Sequence, residues 1–384
     1  MEKRIFLSLL CFWNCIIFAQ IPVKNHLIQI VFTSDAHYGI TRNSFRGHTN
    51  VEGHTVNSAM IHEINTLPGV ILPNDGGINS GKNTGAIDYV IEGGDIANRM
   101  EIPHQSAAIS WAQFDTDYIK GITLQNHLGA PTQFFMIPGN HDITDAIGFY
   151  RPMKPITDAT SMVNIYNLMM KPSKAKTIKT YDYKKDKINY SKNIGGIHFM
   201  FITLWPDSSE RIWMKKDLAT ISTKTPVIIF THDQPECEAK HFTNPVKVRG
   251  INATDKFEDL LEESYKDGMA VPADEAKTVK EQQGWVNFLK RHKNIKAYFH
   301  GNDNFNQYYN YKGPDGTASL PVFRVDSPMK GKYSSKDETK LSFQLVTIDT
   351  ITLTMTVREC LWNTDPAHPG KNIQWGESKT MRLK

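Results

Sequence analysis

Tyr89-Val90-Ile91-Glu92-Gly93-Gly94-Asp95 and Phe134-Phe135-Met136-Ile137-Pro138-Gly139-Asn140-His141-Asp142 share one pattern: a short apolar run, a glycine, then polar residues able to bind a ligand. The apolar runs predict buried strands. A glycine just after a strand lets the backbone turn sharply, so that the next side chain projects from the strand's carboxyl end. In open α/β sheets that edge is where ligands bind. Asp95 and the Asn140-His141-Asp142 trio are therefore expected close together at one sheet edge.

The same pattern recurs outward from this stretch. His26–Thr33 reads as a strand running into Ser34-Asp35-Ala36-His37, and Pro226–Phe230 as one ending at Thr231-His232-Asp233. Ile295–Phe299 delivers His300-Gly301-Asn302-Asp303-Asn304, and Gly196–Leu204 ends at Trp205-Pro206. Helices are predicted near Val56–Ile64, Ser106–Lys120 and Glu281–His292, with an exposed one over Asp255–Gly268. Val322–Val325, Ser342–Ile348 and Leu353–Arg358 are β-branched and alternating, and read as antiparallel strands. Alternating strands and helices followed by a β-rich tail predict an α/β fold, two mixed sheets face to face with helices outside. The long polar segment Ile40–Ala86 leaves the proposed site and is expected to lie over it. Ala146–Asn193 is lysine-rich and reads as a lid or surface excursion.

The residue types suit a metal and phosphate site. Imidazole nitrogen and carboxylate oxygen both bind divalent transition metals. A carboxylate offers two oxygens, so Asp95 can bridge two cations ~3.5–4 Å apart. Asp35 and His37 lie two apart, so both can turn toward one metal. Asn140 offers a neutral amide oxygen. His141 follows closely enough to face a substrate, and Asp142 is positioned in sequence to hold its other ring nitrogen. Two metals lower the pKa of a shared water toward neutrality and clamp a phosphoryl group for in-line attack.

Asp35-Ala36-His37, Gly94-Asp95, Gly139-Asn140-His141-Asp142 and Thr231-His232 resemble the successive motifs of the calcineurin-like metallophosphoesterases, over Val31 to about Gln307. The resemblance implies a four-layer α/β/β/α sandwich and a phosphoric ester hydrolase with two divalent metal ions (Mn, Fe or Zn). It implies attack on a small-molecule phosphate ester by a metal-bridging hydroxide. By position, Asp35 and His37 would hold the first metal, Asp95 would bridge, Asn140 and His232 would hold the second, and His141 would be catalytic or contact phosphate. The last motif departs from the family's Gly-His-x-His, because Asn302 and Asn304 occupy the two histidine positions. Amide oxygens are harder, weaker ligands than imidazole and favour cations such as Mn²⁺, Mg²⁺ or Ca²⁺. Three readings stay open: an intact two-metal enzyme, a one-metal or altered-metal enzyme, and a non-catalytic binding protein. Purple acid phosphatases carry a Tyr three residues after the bridging Asp; here that residue is Asn98, so no iron–tyrosinate chromophore is expected. Asn98 either hydrogen-bonds near the metals or serves a turn. Among esterases, a phosphomonoesterase is the first expectation and a phosphodiesterase the alternative.

The remaining features bound the setting. A formal charge of +4 over 384 residues, without a clustered basic stripe, gives no support for a nucleic-acid partner. Lys3 and Arg4, the apolar run Ile5 to Phe18, and Ala19 before Gln20 read as a signal peptide over residues 1–19. That run is shorter than the ~20 residues of a spanning helix, and no later stretch spans a bilayer. A periplasmic or secreted protein is expected, with residues 20–384 forming one metallophosphoesterase domain whose part from about 320 is β-rich. Cys11 and Cys15 would leave with the signal, and Cys237 and Cys360 would either pair or stay as buried thiols. Arg42 and Arg46 read either as bidentate phosphate clamps or as exposed loop charge. His48 and His54 read as surface residues or substrate contacts. Trp205, Trp362 and Trp375 read chiefly as packing residues.

Overall fold

The computed structural model describes residues 26–97, 105–143, 159–182, 185–236, 275–370 and 373–384. Two six-stranded sheets form its centre. The first contains β1 (Leu27–Thr33), β4 (Tyr89–Glu92), β5 (Gln133–Met136), β12 (Ser342–Asp349), β13 (Thr354–Leu361) and β14 (Gln374–Arg382), in the order β14-β13-β12-β1-β4-β5. The second contains β6 (Tyr190–Ile194), β7 (Ile197–Phe201), β8 (Val227–Phe230), β9 (Ile295–His300), β10 (Gln307–Tyr311) and β11 (Leu320–Arg324), in the order β10-β11-β9-β8-β7-β6. A small hairpin pairs β2 (Thr41–Phe45) with β3 (His48–Glu52).

Strand alternation explains how the sheets face each other. Phe135 of β5 meets Phe201 of β7 at 5.2 Å between ring centroids. Phe32 of β1 sits edge-on to Phe230 at 5.4 Å and Phe299 at 5.6 Å in the opposite sheet. The neighbouring residues point outward. Phe134 packs on Phe114 at 5.9 Å, and Phe114 closes α2 (Ala107–Phe114). On the far side Tyr298 packs against Trp285 at 6.2 Å, on helix Glu275–Arg291. Helix α1 (Gly53–Thr66) lies beside the turn Asp115–Ile119 that follows α2, where Tyr118 donates to Asn57 at 3.2 Å. Helices α3 (Asn140–Ile143), α4 (Thr160–Met170), α5 (Ser208–Leu218) and α6 (Glu275–Arg291) complete the outer layers. The order helix, sheet, sheet, helix is the four-layer sandwich expected from the sequence.

Strand direction places the site. β1, β4 and β5 are parallel, and the register aligns Thr33 with Glu92 and Glu92 with Met136. Asp35, Asp95 and Asn140 therefore leave the sheet at nearly one level. In the second sheet Phe230 aligns with Phe299 and His300 with Arg324, also in parallel. His232 and the Asn302–Asn304 turn thus emerge at the corresponding edge.

Two sequence expectations are corrected. The alternating Val322–Val325 segment is not antiparallel to both neighbours: β11 pairs in parallel with β9 and antiparallel only with β10; its carboxyl end therefore also reaches the site edge. The Ile40–Ala86 segment does not lie over that edge throughout. It folds as the β2–β3 hairpin and α1, and its loop is strapped to the rim of the first sheet. There Arg358 donates to both Asp75 oxygens at 2.7 and 3.0 Å, and Trp375 Nε1 donates to the Ile71 carbonyl at 2.8 Å. The helix expected over Ser106–Lys120 is present, as α2 continued by a π-helical turn at Asp115–Ile119, where Asp117 accepts from Tyr38 at 2.8 Å. Among the described residues no helix is long and apolar enough to cross a membrane. The signal segment, the Asp255–Gly268 helix, Asn98 and Cys237 lie outside the described residues; Cys360 is buried with a free thiol.

Candidate metal centre

The carboxyl ends of β1, β4, β5 and β8 bring Asp35, His37, Asp95, His141 and His232 together. His37, Asp95 and His141 form one group whose ligand atoms all lie within 4.8 Å, and Asp35, Asp95 and His232 form another. Asp95 belongs to both. Its Oδ1 is 3.4 Å from His232 Nε2, and its Oδ2 is 3.8 Å from His37 Nε2 and 3.8 Å from His141 Nε2. His37 Nε2 is also 3.5 Å from Asp35 Oδ1.

The backbone is bent to achieve this convergence. Asp35, His37, Asp95, Asn302 and Asn304 all adopt positive φ, between 45° and 63°. Such conformations cost roughly 1–3 kcal/mol each and persist where surrounding contacts fix them. Those contacts are visible: Asp35 N donates to Gly94 O at 2.8 Å, His37 N to Asp95 O at 2.9 Å, and Asn302 N to Asp35 Oδ2 at 2.9 Å. Gly94 has no substitute, because a Cβ there would stand 2.5 Å from Gly139 N and 2.9 Å from His232 Nδ1.

The donor set fits divalent cations. His232 Nδ1 donates to the Gly93 carbonyl at 2.8 Å, which turns Nε2 toward Asp95 Oδ1 and, at 3.1 Å, Asn140 Oδ1. A ring nitrogen facing two oxygen acceptors is the arrangement a cation satisfies, with the carbonyl fixing the tautomer. Among the described residues, Asp35 Oδ1, both ring nitrogens of His37 and Asn304 Oδ1 are buried without a hydrogen-bond partner, which is costly unless something pairs with them. Burial pulls the His232 pKa down, but Asp95 and then Asp35 outweigh it and raise it well above normal. Burial likewise pushes Asp95 up, and His232 and His141 outweigh it and hold it well below the usual carboxylate range. A metal would compete for the position of that shared proton.

His141 stands apart from the other two imidazoles. Its side chain is 21% exposed, against 1% for His37 and 0% for His232, so it is the ring of the three that solvent reaches. Burial and the nearby Lys330 hold its pKa well below normal.

Asp142 does not orient His141 as expected. Its carboxylate accepts from the backbone N–H groups of Asp95 at 2.8 Å, Gly139 at 2.9 Å and Ile96 at 3.2 Å. It locks the Asp95 turn to the Gly139 turn, while burial and the neighbouring Asp95 raise its pKa to about 7. Arg42 and Arg46 are also engaged elsewhere. Arg42 is buried and donates to the carbonyls of Ser44, Pro328 and Ser334. Arg46 donates to Asn363 at 2.8 Å and lies 3.5 Å from Glu63. Neither has its guanidinium directed at the cluster. His54 pairs with Asp117 at 2.8 Å, and Trp205 is buried with its indole N–H on the Gln234 carbonyl. Asn302 places its amide group on Gln234 at 3.0 Å.

Lys330 and Ser327 escaped the sequence reading. Lys330 Nζ lies 3.3 Å from His141 Nε2, and Ser327 Oγ donates to the Asp35 carbonyl at 2.8 Å. Both belong to the loop after β11, so its parallel pairing was the missing signal.

The family model for calcineurin-like phosphoesterases matches residues 28–315. No curated protein sequence matches the chain. A dimetal phosphatase from Danio rerio is 9% identical with a TM-score of 0.48, over 86% of this chain and 95% of that one. Vps29 from Entamoeba histolytica, complexed with Zn²⁺, is 8% identical with a TM-score of 0.32, over 93% and 100%. Vps29 from Chaetomium thermophilum is 10% identical with a TM-score of 0.32, over 92% and 95%.

Proposed function

The chain belongs to the calcineurin-like phosphoesterase family, and on that premise we propose that it is a metal-dependent phosphatase hydrolysing phosphate monoesters. The observation that carries this reading is Asp95, whose two oxygens face different imidazoles and which is common to both ligand groups. His37, Asp35, His232 and Asn140 would hold divalent cations with it, and Asn304 offers a buried amide oxygen nearby. Two such cations, when bound, polarise phosphoryl oxygens and lower the pKa of water toward neutrality.

The chain's own residues supply the rest. The positive-φ turns hold the ligand side chains in place before substrate arrives, so little reorganisation is required. His141, partly exposed beside Asp95, is placed to hydrogen-bond a phosphoryl or leaving-group oxygen. Asp142 keeps the two ligand turns in register. We propose further that the protein acts in the periplasm or outside the cell, on the strength of residues 1–19.

One observation favours a second reading, a binding protein without turnover: the Asn302 amide is tied to Gln234 where the family carries a histidine. Hydrolysis of p-nitrophenyl phosphate and bis-p-nitrophenyl phosphate by the Mn²⁺-loaded protein separates the possibilities. The monoester is expected to turn over faster, with loss of activity in His141→Ala. Faster diester turnover would move the assignment to a phosphodiesterase, and no turnover of either would leave the binding reading.

A further inference from the structure

Several hydrogen bonds anchor the loop that carries Lys330. Its backbone N–H donates to Ser327 Oγ at 2.9 Å, and that hydroxyl donates to the Asp35 carbonyl at 2.8 Å. Arg42 Nη1 donates to the Pro328 carbonyl at 2.9 Å. Beyond it, Lys332 N donates to the Asn304 carbonyl at 2.6 Å. The loop is thus tied to two ligand turns and to the β2–β3 hairpin. Gly331 allows it to pack tightly, since a Cβ there would stand 2.5 Å from Asp326 Oδ1.

This anchoring brings the half-buried Lys330 ammonium to 3.3 Å from Nε2 of His141, the one imidazole of the cluster that reaches solvent appreciably. An ammonium is a compact charge with three rotatable donors. At this point it can donate to the same phosphoryl group that His141 would meet.

We propose that Lys330 contacts a non-bridging phosphate oxygen and sets the preference for dianionic monoesters over monoanionic diesters. The proposal rests on the phosphoesterase reading above. Its charge logic is direct: one positive charge at fixed distance attracts a dianion about twice as strongly as a monoanion. A metal cluster with fewer imidazoles than the family pattern retains a fixed cation in Lys330. Arg42, which sequence alone offered as a phosphate clamp, acts instead by holding the loop that carries Lys330.

The test pairs a binding measurement with a specificity measurement on wild type, Lys330→Met and Lys330→Arg, each checked for folding by thermal melting. Inorganic phosphate is titrated calorimetrically into the metal-loaded protein. Lys330→Met is expected to weaken phosphate binding at least tenfold and to lower the monoester-to-diester ratio of kcat/KM at least tenfold, chiefly through KM for the monoester. Lys330→Arg, which keeps the charge, is expected to retain most of both. The proposal is overturned if phosphate does not bind wild type, or if Lys330→Met leaves affinity and ratio unchanged. Absence of ester hydrolysis by wild type would sink the phosphoesterase reading instead, and the phosphate titration would still report on the Lys330 contact.

Discussion

Replacing Asp142 by alanine removes one buried carboxylate and leaves three backbone donors without an acceptor: Asp95 N, Gly139 N and Ile96 N, now 2.8, 2.9 and 3.2 Å from it. Each buried orphan donor costs about 1–3 kcal/mol. Because they share one acceptor the costs are less than additive, and a loss of roughly 3–5 kcal/mol is expected. Asparagine is the informative control. Asp95 N and Gly139 N both bond to Oδ2, so one amide oxygen can still serve both. The amide nitrogen would then take the place of Oδ1, 3.2 Å from Ile96 N, and leave that donor only its 3.3 Å contact with Oδ2, so only about 1–3 kcal/mol should be lost. Equilibrium urea unfolding of wild type, Asp142→Asn and Asp142→Ala measures both values. Metal affinity should fall in the same order, by about 10–100-fold in the alanine variant, as for other groups that orient ligands. If Asp142→Ala unfolds with the wild-type free energy, or if asparagine is worse than alanine, the turn-locking role is wrong.

Two further outcomes follow from contacts away from the centre. Asp75→Ala should destabilise by about 3–5 kcal/mol, because it strands the fully buried Arg358 guanidinium; adding Arg358→Met should recover part of the loss, and additive damage in urea unfolding would refute the pairing. Burial pushes the Asp326 carboxyl up to about 8, so the folded state holds a proton that the unfolded chain releases at its ordinary pKa. Its contribution to stability is therefore full at low pH and is lost as pH rises toward about 8, by at most about 1.4 kcal/mol per pH unit. Asp326→Asn should gain stability relative to wild type across pH 5–8, and parallel pH–stability curves for the two proteins would contradict this.

Much of the site could be read from the chain because each candidate ligand follows its own apolar strand. Asp35, Asp95, Asn140 and His232 needed only strand ends and glycines to be placed on one edge, and the structure puts them there. What could not be read depends on long-range pairing. The direction of β11 is set by its partner β9, far away in sequence, and with it went Lys330 and Ser327. Side-chain commitments were equally hidden. Arg42 looks like a phosphate clamp until the fold delivers the Ser44, Pro328 and Ser334 carbonyls to its guanidinium. Asp142 looks like a partner for His141 because it is next in sequence. In the short helix Asn140–Ile143 adjacent side chains diverge, and three N–H groups from two turns claim the carboxylate instead. The Ile40–Ala86 segment was misplaced for the same reason, since its anchor on Arg358 lies nearly three hundred residues on.

The central claim is that Asp95 joins two ligand groups into one metal centre. The direct test is metal content per chain by elemental mass spectrometry, after loading with Mn²⁺, Zn²⁺ or Fe²⁺ and dialysis, for wild type and Asp95→Ala. Wild type is predicted to retain about two equivalents, and Asp95→Ala less than about one, because a shared ligand weakens both positions at once. Wild type that retains none of the three metals, or equal content in the two proteins, would contradict the account.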